Sequence, residues 1–77
     1  MSIPLDAHLW DKDRLLQEIA IRLPQGWAFE FGQLEDQLWH LQVLDDQKNI
    51  VWVSSEVAPN LVLLNGVGWL DLRTAGV

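Results

Sequence analysis

The sequence predicts an α+β fold: one N-terminal helix packed on an antiparallel sheet of three to five strands, in the order α-β-β-β with a β-hairpin to follow. Three observations carry that expectation. Apolar residues recur at helical spacing from Leu15 to Leu23, and the aromatic positions of Trp27-Ala28-Phe29-Glu30-Phe31 alternate with small or charged ones. Five tryptophans in 77 residues, with no tyrosine and no cysteine, supply large apolar surfaces where no disulfide can reinforce so short a chain. The chain is read as a single small globular domain, 1–77, without repeats, linkers or low-complexity tracts.

Each element follows in order. Residues 1–10 read as an irregular lead-in, with Asp6 placed to cap a short turn. Asp11 is the expected N-cap of the helix, and Asp13 puts negative charge in the first turn, where the helix dipole favours it. Leu15, Leu16, Ile19, Ala20 and Leu23 are expected on the buried face, with Asp13, Arg14, Gln17 and Glu18 opposite. Arg14–Glu18 and Glu18–Arg22 are i,i+4 pairs. Pro24 stops the helix and Gly26 lets the chain turn.

Trp27 to Phe31 is the first strand and Leu38 to Leu44 the second, with Trp39, Leu41 and Val43 sharing one face. Asp45-Asp46-Gln47-Lys48-Asn49 is a polar turn, and the β-branched stretch Ile50 to Ser54 is the third strand. A two- or four-residue loop at 45–49 pairs Val43 with Ile50 and Leu41 with Trp52. That register gathers Trp27, Phe29, Phe31, Trp39, Leu41, Val43, Ile50 and Trp52 on one face for the helix to cover. Beyond Pro59, Asn65-Gly66 lies between apolar runs, the pattern of a hairpin with strands near 60–64 and 69–73. A helix there has to absorb two interior glycines at about 1 kcal/mol each.

Composition narrows the function classes. Eleven acidic against five scattered basic residues give a formal net charge of −6, which argues against direct binding to nucleic acid. No run approaches the length of a membrane span, and the start of the chain lacks the basic and apolar regions of a signal peptide. With no cysteine, a cytoplasmic location is expected.

No motif demands chemistry. His8 and His40 without cysteines do not make a zinc site, and the acid pairs Asp11/Asp13, Glu35/Asp36 and Asp45/Asp46 read as cap and turn residues. Ser54, Ser55, His40 and Glu30 can be drawn as a nucleophilic triad. The expected register sets His40 opposite Val53 and Ser55 opposite Leu38, however, and no glycine-framed nucleophile motif surrounds either serine. Gly66-Val67-Gly68 lacks the third glycine of a phosphate loop. No catalytic residue, cofactor or metal is therefore expected.

The second sheet face keeps apolar residues that a solvated face does not need. Leu38, His40, Leu44, Val51 and Val53 are the interaction candidates on it, with Trp69, outside the regular core, as a further one. The function expected is a small acidic protein–protein interaction module without catalysis, of an immunity-, antitoxin- or inhibitor-like kind. Its partner is another protein or a second copy, with a homodimer favoured if 60–73 leaves the second face open. A small-molecule binding module using an aromatic pocket between helix and sheet is the alternative, and a small enzyme subunit the third.

Overall fold

A computed structural model of the chain describes residues 7–75, with side chains to Arg73. A 3-10 turn (Ala7–Leu9) leads into α1 (Lys12–Arg22). Three strands follow, β1 (Ala28–Gln33), β2 (Trp39–Leu44) and β3 (Ile50–Glu56), and then α2 (Pro59–Ala75). The fold is α+β as expected, but the C-terminal hairpin is corrected to a second helix. The expected cap at Asp6 lies outside the described residues.

The Asp11 carboxylate caps α1 by accepting the Arg14 N–H at 2.8 Å. The buried face of α1 is rotated from the expected one. Leu15, Glu18, Ile19 and Arg22 are buried, Ala20 is exposed, and Leu16 is only half-buried. Glu18 and Arg22 can be buried because they satisfy each other. Arg22 Nη1 donates to Glu18 Oε1 at 2.6 Å and to the Glu18 carbonyl at 3.0 Å, and Arg14 Nε donates to Glu18 Oε2 at 2.7 Å. Hydrogen bonds from Arg22 and then Arg14 hold the Glu18 carboxyl below its ordinary value. Arg22 Nε also lies 3.5 Å from the Asp71 carboxylate, an ion pair that ties α1 to α2.

The three strands form one antiparallel sheet in the order β1-β2-β3. In the first hairpin Phe29 faces Val43 and Phe31 faces Leu41, with the expected even sum. The second hairpin differs. Asp45 N–H donates to the Asn49 carbonyl at 2.9 Å, and the Asp45 carboxylate accepts from the Gln47 and Asn49 N–H groups. Lys48 takes the left-handed conformation, φ 66°. Leu44 then pairs with Ile50 and Val43 with Trp52, so Val51 is an extra residue in a β-bulge. Beyond it Leu41 pairs with Ser54 and His40 with Ser55, correcting the expected Leu41–Trp52 and His40–Val53 pairs. Ile50 leaves the core face and is 56% exposed.

The inner face carries Phe29, Phe31, Trp39, Leu41, Val43 and Trp52, and α2, instead of the expected N-terminal helix, is the helix that chiefly lies against it. α2 touches β2 and β3, and α1 packs chiefly on α2. A helix covered from two sides needs apolar residues around much of its girth, which is why Leu61 to Leu64 reads as a continuous run. Val62, Leu63, Val67 and Leu70 are fully buried with Leu15, Ile19 and Leu41. Pro59 fits the first helical position, where no N–H is required. Gly66 is buried where the α2 backbone passes over the sheet, and a Cβ there would overlap Leu41 Cδ2. The Asn65-Gly66 pair thus marks a close approach instead of a turn.

Candidate functional site

The inner face is filled by ring packing. Phe31 and Trp39 stack with centroids 5.3 Å apart, and Trp52 and Trp69 do the same. The Arg73 guanidinium sits 4.9 Å from the Trp27 ring centroid and 5.1 Å from that of Trp69. Trp69 is therefore engaged inside the α2–sheet layer and does not join the other interaction candidates.

The outer face is the face the helices leave open. Strand alternation puts Glu30 and Gly32 of β1, His40, Gln42 and Leu44 of β2, and Val53 and Ser55 of β3 upon it. Leu38 precedes β2 on the same side by parity and is half-buried, as are His40 and Leu44, whereas Val51 is 39% exposed and Val53 60%. Five of the six candidates thus share a face with unequal exposure. Ile50 and Val57, both exposed, extend the apolar character of β3 at its two ends.

Polar side chains on this face are joined in two short systems. Gln42 Nε2 donates to Glu30 Oε1 at 2.7 Å across β1 and β2. His40 lies within hydrogen-bond reach of two partners. Its Nδ1 is 2.7 Å from Ser55 Oγ, and its Nε2 is 3.1 Å from both Asp36 carboxylate oxygens. A carboxylate can only accept, so Nε2 carries the proton and Nδ1 accepts from the serine hydroxyl. Asp36 is fixed by the turn before β2, where its Oδ1 also accepts the Leu38 N–H at 3.0 Å and Gln37 adopts φ 67°. The hydrogen bond from His40, and secondly that from Leu38, hold the Asp36 carboxyl below its ordinary value.

Sequence reasoning drew Ser55 with His40 but set the pair aside on the expected register, and it missed Asp36 as a partner. The loop has five residues instead of two or four, and the bulge at Val51 adds a second residue of shift that loop length does not show. The usable cue was Asp36 itself, an acid four residues before His40 at the turn into its strand.

A shallow cleft of about 270 Å³ adjoins His40 above Gly32, lined by Glu30, Phe31, Gly32, Leu34, His40 and Gln42. Another of about 260 Å³ lies between the 3-10 turn and the start of α2, lined by residues including Ala7, Leu15, Leu61 and Leu64. Both lie away from the Gly66–Leu41 contact, where α2 meets the aromatic face. Among the described residues no group of three or more histidine, aspartate or glutamate side chains is placed to hold a metal ion. No helix among them is long and apolar enough to cross a membrane. Comparison of the chain with protein-family models, curated proteins and solved structures finds no match.

Proposed function

We propose that this chain is a small protein–protein interaction module that assembles with a second copy of itself through β3. The observation that carries the reading is the state of that strand. β3 is an edge of the sheet, neither helix covers its outer face, and Val51, Val53 and Val57 are exposed along it. Edge strands in monomers are commonly guarded by lysine, proline or brevity. β3 has seven residues and no charge before Glu56, and its one such device is the bulge at Val51. The other edge, β1, carries Glu30 at mid-strand.

A second copy fits this edge better than an unrelated chain. Two acidic chains of net charge −6 repel at long range, but charges beyond about 10 Å are largely screened in physiological salt. At β3 an antiparallel pair about a two-fold axis brings together uncharged residues, with Val53 near its own counterpart. Pairing satisfies the outward N–H and C=O groups of both strands and covers the valines at once.

Light scattering on a sizing column tests the proposal. The parent is expected at twice the 8.8 kDa chain mass. Val53→Lys, at a position 60% exposed, is expected to run as a folded single chain with unchanged tryptophan fluorescence. A parent that stays at 8.8 kDa at tens of micromolar rejects self-assembly, and co-purification with a different, basic protein then assigns the strand to that partner.

A further inference from the structure

The Ser55–His40–Asp36 chain has the connectivity of an activated hydroxyl. We infer that Ser55 is a nucleophile that takes the acyl group of small, apolar, activated esters, with His40 as its general base and Asp36 as a positioning residue. Nucleophilic catalysis needs a hydroxyl within about 2.6–3.2 Å of a base that a third group orients. All three conditions are met, at 2.7 Å for Ser55 to His40 and 3.1 Å for His40 to Asp36. The tautomer is the productive one. Asp36 accepts the hydrogen bond from Nε2–H, which in the neutral ring leaves the Nδ1 lone pair facing the serine hydroxyl.

The surroundings define the substrate class. Ser55 is exposed on the open face, so an ester can reach it without any rearrangement. Val53, two residues before it on β3, and Val57, just past the end of the strand, are exposed and apolar. They offer a surface to a short hydrocarbon acyl chain and nothing to a charged one. On the far side of His40 its cross-strand neighbour is Gly32, above which no atom lies within 4 Å of a Cβ position, so the ring is open to water there as well.

Ser55 Oγ bonds to the ester carbonyl carbon while its proton passes to His40 Nδ1. Collapse of the adduct breaks the bond to the leaving oxygen, which departs with that proton, and Ser55 is left acylated. Water attacks the acyl-serine in turn, giving its proton to His40, and the carboxylic acid leaves as the Ser55 hydroxyl is restored. Among the described residues no glycine-framed loop flanks Ser55, and oxyanion donors of that kind contribute about 10²–10³ in rate. Acylation is therefore expected to be seen as a burst followed by slow release.

A small alkyl fluorophosphonate, which serine captures with loss of fluoride, tests the inference on the intact chain. Intact-mass and peptide analysis should find one adduct per chain, on Ser55, and p-nitrophenyl acetate should release a burst of one equivalent of nitrophenolate. Ser55→Ala should abolish both, and His40→Gln should slow labelling about 100-fold. Ser54→Ala should label like the parent, because Ser54 is on the other face and accepts from Asn65 Nδ2 at 3.2 Å. Asp36→Asn keeps the acceptor for the Leu38 N–H but loses the charge that orients His40. It should slow labelling and move its pH profile, with Asp36→Glu restoring part of the rate. Matching melting temperatures establish that each variant is folded. No adduct, an adduct on another residue, or equal labelling of His40→Gln and the parent overturns the assignment. Labelling is run at a protein concentration where the chain is a monomer, because pairing through the β3 edge would cover Val53 and Val57 beside Ser55, and a failure to pair then leaves this test unaffected.

Discussion

Gly66→Ala is the substitution for which helix propensity and packing make opposite predictions. Alanine in place of an interior helical glycine is worth about 1 kcal/mol in favour of α2. The added methyl, however, overlaps Leu41 Cδ2 and stands 3.5 Å from Ile19 Cδ1 and 3.6 Å from Trp52 Cζ3. A leucine tip can usually rotate aside. Here Leu41 and Ile19 are both 0% exposed, and the rest of the cluster hems them in. Overpacking a closed core costs about 1–3 kcal/mol. The net expectation is a loss of up to about 2 kcal/mol, and each kcal/mol lowers the melting temperature of a domain this size by about 4–8 °C.

A double-mutant cycle separates the two effects by sign. Leu41→Ala alone should cost about 2–5 kcal/mol through the lost contacts and the cavity. In that background the methyl at position 66 has room, so Gly66→Ala should stabilise by up to about 1 kcal/mol. Thermal or urea unfolding followed by tryptophan fluorescence measures all four species. If Gly66→Ala raises the melting temperature of the parent, the close approach of α2 to Leu41 is wrong, and with it the placement of α2 on the inner face.

Two more expectations follow from the charges. Glu18→Ala strips the buried Arg22 of its nearest partner and should cost about 3 kcal/mol, although Asp71 and the main-chain carbonyl of residue 18 remain beside the guanidinium. The Glu18 carboxyl is depressed in the folded chain, so its stabilisation is complete above the unfolded value near 4.5 and is lost as pH falls below it. The melting temperature of the parent should therefore drop more steeply in acid than that of Glu18→Gln, and parallel curves refute the role given to Arg22. Duplex DNA should not bind at micromolar protein in physiological salt, since Arg14 and Arg22 are committed to Glu18 and Arg73 lies over Trp27 and Trp69. A gel shift with steep salt dependence contradicts this.

The legible parts of the fold are those in which one local rule decides. The Asp11 cap, the stop at Pro24 and the inward set Phe29, Phe31, Trp39, Leu41, Val43 and Trp52 follow from capping and period-2 alternation and are present, whereas Ile50 leaves that set. The illegible parts are those in which a tertiary contact overrides a local preference. Glu18 and Arg22 look like a solvated i,i+4 pair, yet the helix turns them inward because they neutralise each other and meet Asp71. Asn65-Gly66 looks like a turn, yet Gly66 is the place where a helix backbone needs the absence of a side chain. Nothing in the order of residues distinguishes those two uses of glycine until the position of Leu41 is known.

The outer face shows the same override acting on function. Five interaction candidates could be placed there by parity alone, because the five-residue loop and the bulge each shift β3 by one residue, which together move it along β2 by a full pleat and preserve the faces beyond. Parity does not say who faces whom. With Leu44 paired to Ile50 across a five-residue loop and Val51 set aside as the extra residue, Ser55 slides from Leu38 to His40, and a serine that had no partner acquires one at 2.7 Å. The turn does the rest: the Asp45 carboxylate, bound to two backbone N–H groups, and the left-handed Lys48 fix where the shift begins. Restraining that turn is thus a lever on a site at the other end of the strand. Redesigning the turn as a four-residue loop, 45–48, with no bulge at Val51, so that Val43 pairs with Ile50, would keep Val51, Val53 and Ser55 on the outer face while separating Ser55 from His40. Fluorophosphonate labelling of Ser55 should then vanish even though the sheet still forms, and labelling that survives the shortened loop would show that the hydroxyl does not depend on the imidazole.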